Sequence, residues 1–143
     1  MIVKNHLEDL LNATFEAILF ADRSGLIQYW NAGCSRIFGF PAEMALGQSL
    51  DIIIPENLRK AHWKGFFEAV ERGDTLPGRR PAKTKAITQD GGIIYVEMSF
   101  AMAHDSSGKV IGSVAVARPD QSRSAGQPTQ DKTEAGCPFS QSG

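Results

Sequence analysis

Residues 22–40 read DRSGLIQYWNAGCSRIFGF, and the local preference of the chain changes twice within them. Arg23-Ser24-Gly25 is a turn between two β-rich runs, AILFAD before it and LIQYWN after it, and this predicts a hairpin. Asn31 then offers the side chain of a helix N-cap, Ile37 and Phe38 fall on a short helix, and Gly39 closes it. PAEMALGQ repeats the device, with Pro41 opening a turn of helix and Gly47 ending it.

The next stretch, IIIPENLRKAHWKGFFEAVERG at 52–73, predicts a longer helix. Pro55 loses no hydrogen bond at a helix start, and Glu56 suits the positive end of the dipole. Leu58, Ala61, Gly65, Phe66, Ala69 and Val70 follow the three-or-four spacing of a buried stripe. His62 stands four residues from both Leu58 and Phe66, so it shares that face, beside the gap left by Gly65. A histidine so placed is either a hydrogen-bonded core residue or the ligand of something that fills the gap.

Beyond this helix the period changes. PAKTKAITQ alternates, with Lys83 and Lys85 on one face and the small Ala82, Thr84 and Ala86 on the buried one. Asp90-Gly91-Gly92 is a hairpin turn, and the strand after it puts Ile94, Val96, Met98, Phe100 and Met102 on a single face, expected in the core. Asp105-Ser106-Ser107-Gly108 turns the chain again into VIGSVAVAR, a third consecutive strand. Two strands, short helices, a longer helix and three strands make an α+β order, with helices against one face of an antiparallel sheet.

The ends read differently. Val3, Leu7, Leu10 and Leu11 make one face of a short amphipathic helix over 1–14, whose stripe is expected to bury against a second copy of the chain. Residues 119–143 are rich in Gln, Ser, Gly, Pro and Thr and are expected to be a disordered tail, leaving 15–118 as the folded domain. At 143 residues and 42% apolar composition the chain is long enough for one domain with a core and too short for two. The net charge of −1, without a basic cluster, points away from nucleic acid and anionic membranes. No signal peptide and no run near the roughly 20 apolar residues of a membrane span is present, so a cytoplasmic location is expected. No catalytic triad, paired-carboxylate pocket or phosphate-cradling loop emerges, and no catalysis is expected.

The hairpin and helix DRSGLIQYWNAGCSRIFGF, the following PAEMALGQSLDIIIPE, and KTKAITQDGGIIYVEMSFAM with GKVIGSVAVARP together resemble a PAS domain over about residues 10–118. Asn31, Phe38, Gly39 and Phe40 and the Asp90-Gly91 turn carry the resemblance. It implies a five-stranded antiparallel sheet of order 2-1-5-4-3 cupping a pocket under the helices, and a sensor or docking role. Ile54-Pro55-Glu56-Asn57-Leu58-Arg59-Lys60-Ala61-His62 is further similar to the I-P-x-x-x-R-x-x-H run of haem-binding oxygen-sensor PAS domains, where the histidine holds the iron.

That similarity implies a b-type haem with His62 as proximal ligand and a diatomic gas or redox state as the signal. The haem slot is expected at Gly65, Ala82, Thr84 and Ala86, walled by Ile52, Ile53, Phe66, Ile94, Val96, Met98 and Phe100. On the distal side Arg80 can donate to bound O₂, or Met98 or Met102 can be the sixth iron ligand. The cysteine of the family's light sensors is missing from 50–55, LDIIIP, which rules out a photoadduct there, while Cys34 reads as a buried small residue. A redox-sensing flavin such as FAD, stacked on Trp30 or Trp63, stays open, although Trp63 is expected to pack at an edge. So does a module holding another small molecule or nothing, with His62 hydrogen-bonded in the core. Cys137-Pro138 resembles a haem-regulatory motif, and His6 and His104 read as surface residues. With no kinase, cyclase or DNA-binding segment in the sequence, the signal is expected to pass to a separate protein, unless the chain is a piece of a longer one.

Overall fold

Ten residues of helix, α1 (Lys4–Ala13), lead into the hairpin β1 (Ala17–Asp22) and β2 (Ile27–Trp30). Next come α2 (Ala32–Phe38), α3 (Ala42–Ala45), two 3₁₀ turns (Leu50–Ile53 and Glu56–Leu58) and α4 (Arg59–Arg72). The strands β3 (Ala82–Ile87), β4 (Ile93–His104) and β5 (Val110–Pro119) follow. The computed structural model describes residues 4–74 and 81–122, with side chains from His6 onward. Val3, Arg79, Arg80 and the Cys137-Pro138 pair therefore lie outside the described residues.

The five strands form one antiparallel sheet of order β2-β1-β5-β4-β3, which is the order the resemblance implies. Period-two alternation turns Ala17, Leu19 and Ala21 of β1, Ala115 and Ala117 of β5, and Val96, Met98 and Met102 of β4 into the core. Phe38 from α2 and Phe66, Ala69 and Val70 from α4 cover that face. The β1–β2 turn is held by the Asp22 carboxylate, which accepts from the backbone N–H groups of Ser24 (2.9 Å) and Leu26 (3.1 Å). Gly25 occupies its left-handed position at φ +84°.

Asn31 does more than cap α2. Its Oδ1 accepts from Cys34 N (2.9 Å) and from Ile18 N in β1 (2.9 Å), and its Nδ2 donates to the carbonyls of Leu11 (2.7 Å) and Glu16 (3.1 Å). A single 1% exposed amide thus ties α1, β1 and α2 together.

Two boundaries differ from the sequence reading. The α-helix opens at Arg59 rather than at Pro55, and the chain enters it through the 3₁₀ turn Glu56–Leu58, with no side-chain cap at either start. The folded part runs past 118: β5 includes Pro119, and Asp120 N donates to Tyr95 O (2.9 Å). The Asp120 carboxylate accepts from Ser122 N and Oγ, which turns the chain at that point. In α1, Leu11 is half-buried, whereas Leu7 and Leu10 are 48% and 54% exposed.

Candidate functional site

An apolar cavity lies between the inner face of the sheet and the segment that runs from the first 3₁₀ turn into α4. Leu19 of β1, Ala115 of β5, Met98 and Phe100 of β4, and Thr84, Lys85 and Ala86 of β3 make its floor. Leu50, Ile53, Ile54, Leu58 and His62 make its roof. Register explains the floor: Leu19 pairs with Ala115 and Ala115 with Phe100, one continuous row across three strands. From that row the cavity crosses the twisted sheet diagonally to β3.

His62 is 6% exposed. Its ring meets Trp63 edge-on at 4.7 Å and Phe66 at 5.9 Å between centroids. Burial pushes its pKa down to about 4, against an opposing pull from the Asp51 carboxylate, so near neutral pH the cavity wall carries an uncharged imidazole. The unfolded chain therefore binds a proton that the native state refuses between pH 6.5 and about 4, and stability falls as pH drops through that window. From pH 6.5 to 5 the loss is expected to be about 1.5 kcal/mol in urea titrations. His62→Phe should flatten that slope. An unchanged slope in the variant would show that other groups set it.

Of the residues named from sequence, the structure brings His62, Ile53, Thr84, Ala86, Met98 and Phe100 to the cavity. Gly65, Phe66, Ile52, Ala82, Ile94, Val96 and Met102 do not line it. Phe66 and Val96 are fully buried in side-chain packing, and Met102 pairs with Ser113 farther along β4. Arg80 is outside the described residues. Leu19, Ala115, Leu50, Ile54, Leu58 and Lys85 were missed. Leu58 was legible, being one turn before His62, whereas Leu19 and Ala115 are joined only by strand register.

The indoles take other roles. Trp30 is 4% exposed and donates to Phe40 O (2.9 Å), and Trp63 donates to Asp51 Oδ1 (2.8 Å) while packing on Gly25. Neither lines the cavity, so neither is placed to stack on an isoalloxazine there. Cys34 is fully buried, gives its S–H to Ile18 O (3.3 Å) and has its thiol pKa pushed up to about 12 by burial, as expected of a structural cysteine. His6 is exposed, and exposed His104 contacts Gly73 O through Nε2 (2.9 Å).

Haem can be tested against this geometry. The donor suits it, since a neutral imidazole on an apolar wall is what ferrous or ferric iron takes. The room is tight: the cavity leaves the centres of water-sized molecules about 40 Å³, on a measure where one water needs about 10–15 Å³. All the non-atom space in and at the mouth of the cavity, open solvent included, comes to about 520 Å³. A rigid porphyrin would need α4 and the sheet to move apart.

A sheet of this order with a cavity beneath its helices defines an α+β class in which the helices gather on one face of an antiparallel sheet. The family profile described as "PAS fold" matches residues 5–119, and the chain belongs to the PAS family. The sensor protein FixL of Bradyrhizobium diazoefficiens is 32% identical over 59 residues, 41% of this chain and 12% of FixL. The chain thus spans a small part of that relative's length. Among solved structures, the PAS domain of a Colwellia psychrerythraea protein superposes with a TM-score of 0.73 at 20% identity, covering 85% of this chain and 100% of that one. The PAS domain of a LuxR-family transcriptional regulator from Burkholderia thailandensis, in complex with ethanol, gives 0.61 at 9% identity, covering 80% and 96%. Among the described residues no helix is long and apolar enough to cross a membrane.

Proposed function

We propose that this PAS domain is the input module of a signalling system, a sensor rather than a catalyst, and that it takes a compact, largely apolar molecule into the cavity under His62. The observation that carries this reading is a neutral imidazole on the wall of a small, otherwise mostly aliphatic cavity. A ligand hydroxyl would donate to the imidazole while its carbon chain rests on Leu58, Met98 and Phe100. The ethanol complex of the Burkholderia thailandensis domain supports the same ligand scale. The test is a titration with ethanol, 1-propanol and 1-butanol followed by NMR of the His62 ring and the Met98 methyl. Saturable shifts that His62→Phe abolishes are expected. Resonances that move only linearly with alcohol, in wild type and variant alike, would overturn it.

Haem held by His62, with O₂, CO or NO as the signal, is the second reading, supported by the imidazole's protonation state and the run from Ile54 to His62. The tightness of the cavity argues against it. Protein purified after haem supplementation is accordingly expected to lack a Soret band that depends on His62. A band that shifts on reduction and vanishes in His62→Ala would put haem in place of the smaller ligand.

Output is proposed to run through α1 to a second copy of the chain, because Leu7 and Leu10 leave an apolar stripe open. Leu7→Glu with Leu10→Glu is expected to convert a dimer to a monomer in light scattering without lowering the melting temperature of the PAS core. A wild-type monomer at high concentration would remove this route and leave docking to a separate partner.

A further inference from the structure

Two connections run from the cavity roof to the β1–β2 turn. Leu50, which lines the cavity, donates its backbone N–H to Gly25 O (3.0 Å). Trp63, adjacent to His62 in α4, lays its ring over the same residue so closely that a Cβ at Gly25 would fall inside the indole. Gly25 is buried in consequence, although it sits at the tip of a turn. The indole is not free to slide. Its Nε1 is fixed on Asp51 Oδ1 (2.8 Å), one face stacks on Phe67 at 5.5 Å and 25°, and its ring stands at 80° to that of His62. Arg59 secures the anchor by donating to Ile54 O (2.9 Å) and Asp51 O (3.3 Å). Its ion pair with Asp51, 3.8 Å long and more than a third exposed on both sides, adds little beside those bonds.

We infer that Trp63 is a positioning residue that locks the His62-bearing roof of the cavity onto the β1–β2 turn and carries displacement of that roof to Gly25, with Asp51 as its hydrogen-bond anchor. The inference rests on the cavity being the ligand site proposed above. A molecule that enlarges the cavity must lift Leu50, Leu58 or His62, since the floor is a hydrogen-bonded sheet and yields less. Leu50 and Trp63 then move together against one turn. That turn joins β2 to β1, and β1 is tied to α1 through Asn31. The contact therefore gives a route from cavity to N-terminal helix without passing through the centre of the sheet.

The test uses the full chain labelled with 5-fluorotryptophan, which gives two ¹⁹F resonances, assigned with Trp63→Phe and read beside the Gly25 amide. Trp30, bonded to Phe40 O within the core, is the internal control. In one arm 1-propanol is added. In the other no ligand is used: Ala115→Leu, or the smaller Ala115→Val should the first fail to fold, fills the cavity from its floor. Both arms are expected to shift Trp63 and Gly25 and leave Trp30 in place. Asp51→Ala should abolish the Gly25 response, and Asp51→Asn, which keeps the acceptor, should restore it. A His62 ring that responds to propanol while Trp63 and Gly25 stay still would overturn the coupling and leave the cavity reading intact. If propanol moves nothing, the cavity reading fails, and the filled-cavity variants still decide the latch: an unmoved Trp63 in them overturns it.

Discussion

Asn31→Ala is expected to lower the folding free energy by about 4 kcal/mol, a large share of the roughly 5–15 kcal/mol of an ordinary domain. The substitution strands the backbone N–H of Ile18, leaves Cys34 N with only its 3.1 Å bond to the carbonyl of residue 31, and deprives the carbonyls of Leu11 and Glu16 of their side-chain donor. Each buried group so abandoned costs about 1–3 kcal/mol, and the lost N-cap alone costs about 1 kcal/mol. Asn31→Ser should recover only the capping part. Asn31→Asp keeps the acceptor but turns a charge toward the Leu11 and Glu16 carbonyls, and is expected to be no better than alanine. Urea midpoints of the three variants measure this. A cost below about 1 kcal/mol for alanine would mean that α1 and α2 hold their places by apolar packing, with the amide a minor part.

Asn31 also shows how far sequence reasoning reaches. Its position before a short amphipathic run is enough to mark it as a cap, because capping is a local matter of three or four residues. The bonds to Leu11, Glu16 and Ile18 depend on β1 lying beside the start of α2, which no local pattern encodes. The same division runs through the cavity. His62, Leu58 and the inner positions of β3 and β4 follow from periods of 3.6 and 2, so the faces were legible. Which members of each face border empty space was not. Met98 lines the cavity and Met102 does not, because the twist of the sheet carries the cavity diagonally past only part of the strand. Trp63 illustrates the limit most sharply: helical spacing places it on the flank of the buried stripe, and only the fold reveals a turn glycine beneath it. The PAS resemblance supplied the strand order, which the family match and the sheet bear out, but not the volume under the helices.

Gly33→Ala should destabilise the domain by about 3 kcal/mol, at the upper end of what overpacking costs, although it replaces glycine by the best helix former inside α2. At an open helical position the exchange would stabilise by about 1 kcal/mol. Here a Cβ would sit against the backbone carbonyl of Glu16 and the N–H of Ala17, and neither can rotate away as a side chain could. Relief requires α2 to back off β1. The carbonyl in the way is also the one that accepts from Asn31 Nδ2, so the displacement pulls on the same seam that Asn31 closes. The two substitutions therefore act on a shared set of bonds, and the Asn31→Ala, Gly33→Ala double variant is expected to fall short of the sum by about 1–2 kcal/mol. Full additivity in urea titrations of the cycle would place the Gly33 strain elsewhere in α2 and separate it from the Asn31 hub.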